Sequence, residues 1–123
     1  MISKSKIIKT DNNAIVLDLS VGARICGKKI KDVGLEELCD LINNAMKLSG
    51  TCFAFGRWGE PREFYISEDF LNIDKNEMRT IHLGIDVFCL AGTSVYAPMS
   101  GKVIHIGNNN KELDYGPVMI LEH

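Results

Sequence analysis

Two side chains that are good zinc ligands, His82 and Asp86, lie four residues apart in the segment IHLGIDVF. Imidazole nitrogen and carboxylate oxygen both bind Zn²⁺, and a catalytic zinc typically has three protein ligands and one open position. Side chains at this spacing reach one ion only if the backbone turns between them, and Gly84 allows such a turn at low cost. The alternative is an ordinary turn, because histidine and aspartate often occur four residues apart by chance.

The residues after Asp86 form an ordered series of motifs. GTSVYAP and GKV follow in turn, and the pair Tyr115-Gly116 then precedes the apolar run PVMILEH. This order resembles the start of the lysostaphin-type (LytM-type) zinc metallopeptidase domain, which opens with H-x-G-x-D and continues with G-T-x-V-x-A and G-x-V. The resemblance covers roughly residues 79–123, about a third of the chain.

The resemblance implies a fold, a metal and a reaction. The implied fold is an open β-sheet core related to the barrel-sandwich hybrids. The implied zinc ligands are His82 and Asp86, which match the histidine and aspartate of the opening motif. The implied reaction is hydrolysis of glycyl or related peptide bonds in bacterial peptidoglycan, by metal-assisted attack of water on the amide carbonyl.

The family's remaining active-site motifs have no match in these 123 residues. The third zinc ligand of the family comes from a downstream H-x-H motif, and a Y-x-H-L motif supplies another histidine. His105 and His123 match positions that are not metal ligands in the family, and we expect His105 to be structural. Zinc held by one imidazole and one carboxylate is weakly bound. We therefore expect an incomplete zinc site, no catalytic residue and no peptidase activity in this chain by itself.

Three explanations of the half-site remain open. The chain is a fragment of a longer protein, or a short protein that uses the half-domain as a binding module, or a homo-oligomer in which a second copy completes the sheet. The terminal Leu-Glu-His fits either a native strand end or the beginning of a histidine tag. A peptide or peptidoglycan substrate is expected only for a complete domain.

A second resemblance extends across most of the chain. AIVLDLSVG, GRWGEPREFYISEDF, RTIHLGIDVF and DYGPVMILEH resemble the middle of large bacterial fusion proteins. Those proteins join a phosphotransferase-like kinase domain, a lysostaphin-type peptidase-like domain and a class-III pyridoxal-phosphate aminotransferase. The cofactor lysine of the aminotransferase lies outside the matching residues, so no cofactor-binding residue is assigned here.

The pattern of apolar residues predicts an α+β protein in two parts. Residues 1–78 are predicted to form a small α+β extension with a strand at 14–19, a helix at 35–48 and strands near 51–56 and 63–67. The predicted helix carries an apolar face made of Leu35, Leu38, Leu41, Ile42, Ala45 and Met46. After Arg79 the runs become short and β-branched, which predicts a mostly antiparallel β region over residues 79–123.

Composition narrows the classes of partner. The formal net charge is −2 with no basic stripe, which argues against nucleic acid binding. No apolar run approaches the ~20 residues that span a bilayer, and the N-terminus lacks a signal-peptide pattern, so we expect a cytoplasmic protein. The four cysteines form no C-x-x-C pair, and we expect free, mostly buried thiols.

One further cluster, GRWGEPR, places Arg57, Trp58, Glu60 and Arg62 close together in sequence. Arginine and tryptophan are common anchors for ligands and partners. The simpler interpretation is a turn in which the glutamate pairs with an arginine and the indole packs against the protein. Proline at position 61 is expected to end the preceding strand.

Overall fold

The structure is a computed structural model that describes residues 6–62, 81–111 and 114–123. The chain divides into two compact units, one made of Thr10–Gly92 and the other of Met1–Lys9 with Thr93–His123. The described residues form one α-helix and small, mostly antiparallel sheets, which confirms the α+β class. The predicted boundary at residues 78/79 lies outside the described residues and stays a prediction.

The elements are short, and their order along the chain is simple. They are β1 (Ile15–Leu17), β2 (Arg24–Ile25), β3 (Lys28–Lys29), a 3-10 turn (Ile30–Asp32), α1 (Leu35–Leu48), β4 (Phe53–Gly56), β5 (Glu60–Pro61), β6 (Ile81–His82), β7 (Asp86–Cys89), β8 (Lys102–Asn109) and β9 (Gly116–Glu122).

A three-stranded sheet in the order β1-β4-β7 forms the centre of the Thr10–Gly92 unit. β1 runs parallel to β4, and the connection between them contains the β2–β3 pair and α1. β7 runs antiparallel to β4, with Gly56 opposite Asp86. A second antiparallel pair, β5 with β6, places Glu60 opposite His82. The two ladders therefore fix the backbone of both predicted zinc ligands.

Helix α1 spans Leu35–Leu48, the range that its periodicity predicts. Glu36 and Glu37 lie in the first turn and Lys47 in the last, where their charges complement the helix dipole. The chain leaves the helix through Gly50, which has a φ of 66°. Leu35 was predicted on the buried face but is about half exposed, because it belongs to the first turn at the end of the helix.

The apolar core lies between α1 and the sheet. Its buried side chains come from the strands, the loop after β1, the 3-10 turn and one face of the helix: Leu17, Leu19, Ile25, Ile30, Leu38, Leu41, Ile42, Met46 and Ala54. Ala45 of the predicted helix face packs against this core while partly exposed. Burial of this face supplies most of the stability that so short a helix needs.

The predicted strands are shorter in the structure than in the sequence pattern. The strand predicted at 14–19 ends at Leu17, because the Asp18 carboxylate accepts hydrogen bonds from the backbone N–H and hydroxyl of Ser20 and turns the chain. The strand predicted near 51–56 covers Phe53–Gly56. Pro61 was expected to end the preceding strand, and that strand, β4, does end before it at Gly56. Pro61 itself lies in β5, where a two-stranded pair tolerates its missing N–H. The strand predicted near 63–67 lies outside the described residues.

The second unit is built around the antiparallel hairpin β8–β9. Its ladder runs from Lys102 opposite Glu122 to Asn109 opposite Gly116, with an irregularity between Val103 and His105. Ile106 and Met119 are apolar side chains of this hairpin that remain exposed. In the same unit the backbone N–H of Tyr96 donates to the carbonyl oxygen of Ile7 at 2.7 Å.

The four cysteines are free thiols, as predicted. The expectation that they are mostly buried is wrong, because three of them are exposed and Cys89 is partly buried. Cys39 illustrates the reason: it follows the buried Leu38 in α1, and adjacent residues of a helix point in different directions.

Among the described residues, no helix is long and apolar enough to cross a membrane.

Replacement of Ile42 by alanine tests the core between α1 and the sheet. Ile42 is 3% exposed, so Ile42→Ala should lower the free energy of unfolding by about 2–4 kcal/mol through lost burial and a residual cavity. Leu48→Ala is the matched control, because Leu48 is 83% exposed on the same helix and should change that free energy by less than about 0.5 kcal/mol. Equal effects in urea unfolding would contradict this assignment of the buried face.

The Asp11 carboxylate ties the segment before β1 to the start of β4. It accepts hydrogen bonds from the Thr51 hydroxyl at 2.9 Å and from the backbone N–H groups of Cys52 and Asn13 at 3.3 and 3.0 Å. Desolvation acts to raise the pKa of Asp11, but these hydrogen bonds outweigh it and hold the pKa below its ordinary value. The folded state therefore favours the ionised form.

This preference predicts an acid-sensitive contribution to stability. A folded-state pKa below the unfolded value gives stability that is present above about pH 4 and is lost as the pH falls through the folded value. Asp11→Asn should therefore flatten the decline in unfolding free energy between pH 5 and pH 2, measured by urea unfolding. Asp40→Asn, on the exposed side of α1, is the control, and the flattening should be larger in Asp11→Asn than in this variant. An unaltered pH profile in Asp11→Asn would refute the role.

Candidate functional site

His82 and Asp86, the two predicted zinc ligands, come together in the Thr10–Gly92 unit. His82 ends β6 and Asp86 begins β7, and the chain between them turns through three residues. The His82 Nε2 atom lies 3.3 Å from Asp86 Oδ1. Both side chains are largely shielded from solvent, with 17% and 30% of their surface exposed. The sequence spacing thus corresponds to a real contact.

Gly84 serves this contact through its size. Its backbone is not among the glycines with positive φ, so the turn itself does not require glycine at this position. A Cβ atom at position 84 would lie 3.1 Å from His82 Nε2, tighter than most real contacts. The absence of a side chain at Gly84 therefore leaves room for the imidazole ring to lie over the turn, facing Asp86.

Asp86 has a second partner, Arg62, on its other carboxylate oxygen. The Arg62 Nη1 atom lies 2.6 Å from Asp86 Oδ2, and Arg62 Nε donates to Glu60 Oε2 at 3.0 Å. The side chains of Arg62 and Glu60 are only 5% and 2% exposed. Arg62 therefore bridges two carboxylates in an almost dry environment, where ionised groups are stable only when they are paired.

Glu60 is the most buried member of this group and has several hydrogen bonds. Its Oε1 atom accepts from the backbone N–H of Leu19 at 3.0 Å and from Arg57 Nη2 at 2.9 Å. Arg57 in turn bonds Asp18 Oδ1 at 2.6 Å. We refer to this set as the charge cluster, made of Asp18, Arg57, Glu60, Arg62 and Asp86. Its two guanidinium groups and three carboxylates leave a formal charge of −1 when His82 is neutral.

The ion pairs of the cluster stabilise the charged forms of its arginines. Burial acts to lower the pKa of Arg62, but hydrogen bonds and Coulomb attraction from Asp86 and Glu60 outweigh it and raise that pKa. The hydrogen bond to Glu60 is the main reason that the pKa of Arg57 is also raised. Hydrogen bonds from Ser20, with a contribution from Arg57, lower the pKa of Asp18.

Gly56 provides the space in which Arg62 and Asp86 meet. It lies opposite Asp86 in the β4–β7 ladder. A Cβ atom at this position would lie 2.7 Å from Asp86 Oδ2 and 2.8 Å from Arg62 Nη2, so any side chain would displace the ion pair. Glycine is thus used on both sides of Asp86: Gly56 makes room for Arg62, and Gly84 makes room for His82.

The His82–Asp86 pair fits two positions of a tetrahedral zinc site. With Zn–N and Zn–O distances of about 2.0–2.2 Å, ligand atoms lie about 3.4 Å apart. The observed separation of 3.3 Å between Nε2 and Oδ1 agrees with that value. The same distance also fits an ion pair between an imidazolium and the carboxylate. In the described part of the chain, no group of three or more histidine, cysteine, aspartate or glutamate residues is placed to hold a metal.

The other histidines lie in the second unit. His105 is on β8, opposite Ile120 of β9. His123 follows β9, and its Nδ1 atom lies 3.1 Å from the carbonyl oxygen of Ser100. The GRWGEPR cluster contains the glutamate–arginine pairing that the simpler interpretation predicts, but the Trp58 side chain is 66% exposed, so the expectation that it packs against the protein is wrong.

No protein-family model matches the chain, and neither the curated proteins nor the solved structures contain a match to it. Any function assigned to the chain therefore depends on its own residues and their geometry.

Substitution of each arginine tests whether Arg62 stabilises the folded protein more than Arg57 does. Arg62→Met leaves the buried Glu60 with a weaker set of partners, so it should lower the free energy of unfolding by about 3–5 kcal/mol. Arg57→Met is the matched control, because Arg57 bonds the same glutamate but is half exposed, and it should lower the free energy of unfolding much less than Arg62→Met does. Chemical denaturation at pH 7 measures both, and a larger loss in Arg57→Met would contradict the central place of Arg62.

Proposed function

We propose that residues 79–123 are the opening part of a lysostaphin-type zinc peptidase domain of the barrel-sandwich kind, with His82 and Asp86 as its first two metal ligands. The observation that carries the proposal is the 3.3 Å separation of His82 Nε2 and Asp86 Oδ1, at the ligand spacing of a tetrahedral site. The motifs that follow Asp86, from Gly92-Thr93 to Tyr115-Gly116, support the same assignment.

The proposal separates metal binding from catalysis. When bound, zinc in such a site polarises a peptide carbonyl and activates a water molecule. A catalytic zinc site needs three protein ligands. The proposed ligands are two, and in the part of the chain that the structure describes no group of three or more histidine, cysteine, aspartate or glutamate side chains is placed to hold a metal. We therefore expect this chain to bind Zn²⁺ more weakly than a complete site does and to hydrolyse no glycyl peptide by itself. Hydrolysis of peptidoglycan peptide bonds would belong to a complete domain.

A metal titration tests the proposal directly. The 123-residue chain should bind one equivalent of Zn²⁺ or Co²⁺ in calorimetry, and both His82→Ala and Asp86→Asn should weaken binding by more than about tenfold, because each removes one ligand. His105→Ala is the matched control, since it removes a histidine that is exposed on β8 and should leave the affinity unchanged.

Two outcomes would contradict the metal assignment. One is a wild-type chain that binds no metal, and the other is a loss of affinity in His105→Ala equal to that in His82→Ala. Either result would favour the alternative of a non-catalytic binding or self-association module, for which the exposed apolar side chains of β8 and β9 are the supporting observation. Sedimentation velocity on the same samples tests that alternative, which requires a concentration-dependent dimer.

A further inference from the structure

We infer that Arg62, held in place by Glu60, is a positioning residue that presents Asp86 to a divalent metal ion. This inference rests on the proposed function, since it concerns how the same site orients one of its ligands. Arg62 lies outside residues 79–123, which carry the peptidase resemblance, and directly follows β5 (Glu60–Pro61). The GRWGEPR cluster predicted a glutamate–arginine pair or a ligand anchor there, but no contact with Asp86.

The two oxygens of Asp86 face different partners. Oδ2 is 2.6 Å from Arg62 Nη1, whereas Oδ1 is 3.3 Å from His82 Nε2. The guanidinium therefore fixes the carboxylate by one oxygen and directs the other toward the imidazole. Carboxylates that bind metals are commonly fixed in this way by a hydrogen-bonded neighbour, and loss of such a neighbour typically lowers metal affinity about 10–100-fold.

Glu60 resolves an electrostatic conflict in this arrangement. A guanidinium beside Asp86 on its own would neutralise the carboxylate and repel an incoming cation. Glu60 accepts the Arg62 Nε–H at 3.0 Å and offsets that charge, and the cluster as a whole keeps a formal charge of −1 with His82 neutral. Arg62 can therefore orient Asp86 while the surroundings of the metal position remain negative.

The backbone holds this arrangement in register. Glu60 lies opposite His82 in the β5–β6 ladder, and the Gly59 N–H donates to the His82 carbonyl oxygen at 2.7 Å. Asp86 lies opposite Gly56, the residue whose missing side chain admits Arg62. Each metal-ligand position is thus paired with a strand that leads into the charge cluster, so the geometry is set before any ion binds.

Lysine substitution at the two arginines tests the inference. Arg62→Lys keeps the charge but cannot span both carboxylates, so it should weaken Co²⁺ binding about 10–100-fold and alter the visible absorption of the bound Co²⁺. Arg57→Lys is the matched control, because Arg57 bonds Glu60 without contacting Asp86, and its Co²⁺ affinity should stay within about threefold of wild type. Circular dichroism of each variant verifies that it is folded before titration.

A measurement on the unaltered chain remains decisive if Arg62→Lys fails to fold. In ¹⁵N-labelled wild-type protein, the side-chain Nε–H resonance of Arg62 should stay protected from solvent exchange and should shift in proportion to added Zn²⁺. The corresponding resonance of Arg57 should shift much less. An Arg62 resonance that does not shift when metal is added, or one that loses its protection from solvent exchange when the metal binds, would overturn the inference.

The outcomes separate this inference from the proposed function. If the wild-type chain binds no Co²⁺ or Zn²⁺, the proposed metal site itself fails. If the wild-type chain binds the metal and Arg62→Lys binds it with unchanged affinity and spectrum, the metal site stands and only the role of Arg62 is refuted.

Discussion

Glu60 places a carboxylate where almost no water reaches it, and this constraint organises the surrounding structure. A buried carboxylate is stable only if cationic and N–H donors replace its hydration. Glu60 has such donors from three directions: Arg62, Arg57 and the backbone N–H of Leu19. These bonds connect Leu19, which follows β1, to Glu60 in β5 and connect Glu60 to Arg62, which follows β5. The position of Arg62, and through it the orientation of Asp86, follows from the need to pair this one charge.

Space is the second constraint, and glycine provides it. Arg62 and His82 both approach Asp86 from positions where a Cβ atom on a neighbouring residue would obstruct them. Gly56 and Gly84 remove those obstructions without adopting the left-handed backbone that usually explains a glycine. In the proposed site, the glycine of the H-x-G-x-D motif thus serves to leave space for the imidazole ring.

The sequence predicts some parts of this arrangement well and misses others for identifiable reasons. Helix α1 was predicted at its observed bounds because six apolar residues repeat at helical spacing, and that signal is local. The approach of His82 to Asp86 was also local, across a turn of three residues. The Arg62–Asp86 bond joins residues 24 positions apart, and no periodicity reports such a contact. Pro61 made the short strand β5 hard to predict, because a proline usually indicates the end of a strand, although Pro61 takes part in the β5–β6 pair.

The proposed half-site lies wholly within one compact unit of the protein. His82, Asp86, Arg62 and Glu60 all lie within Thr10–Gly92, where two strand ladders and the core beneath α1 hold them. The cost of orienting the two ligands is then met when this unit folds, whether or not a third ligand is present. A pre-oriented pair needs only one further imidazole or carboxylate to complete a catalytic set. Peptidase activity would therefore depend on the source of that third ligand, whereas the first two would bind metal on their own with modest affinity.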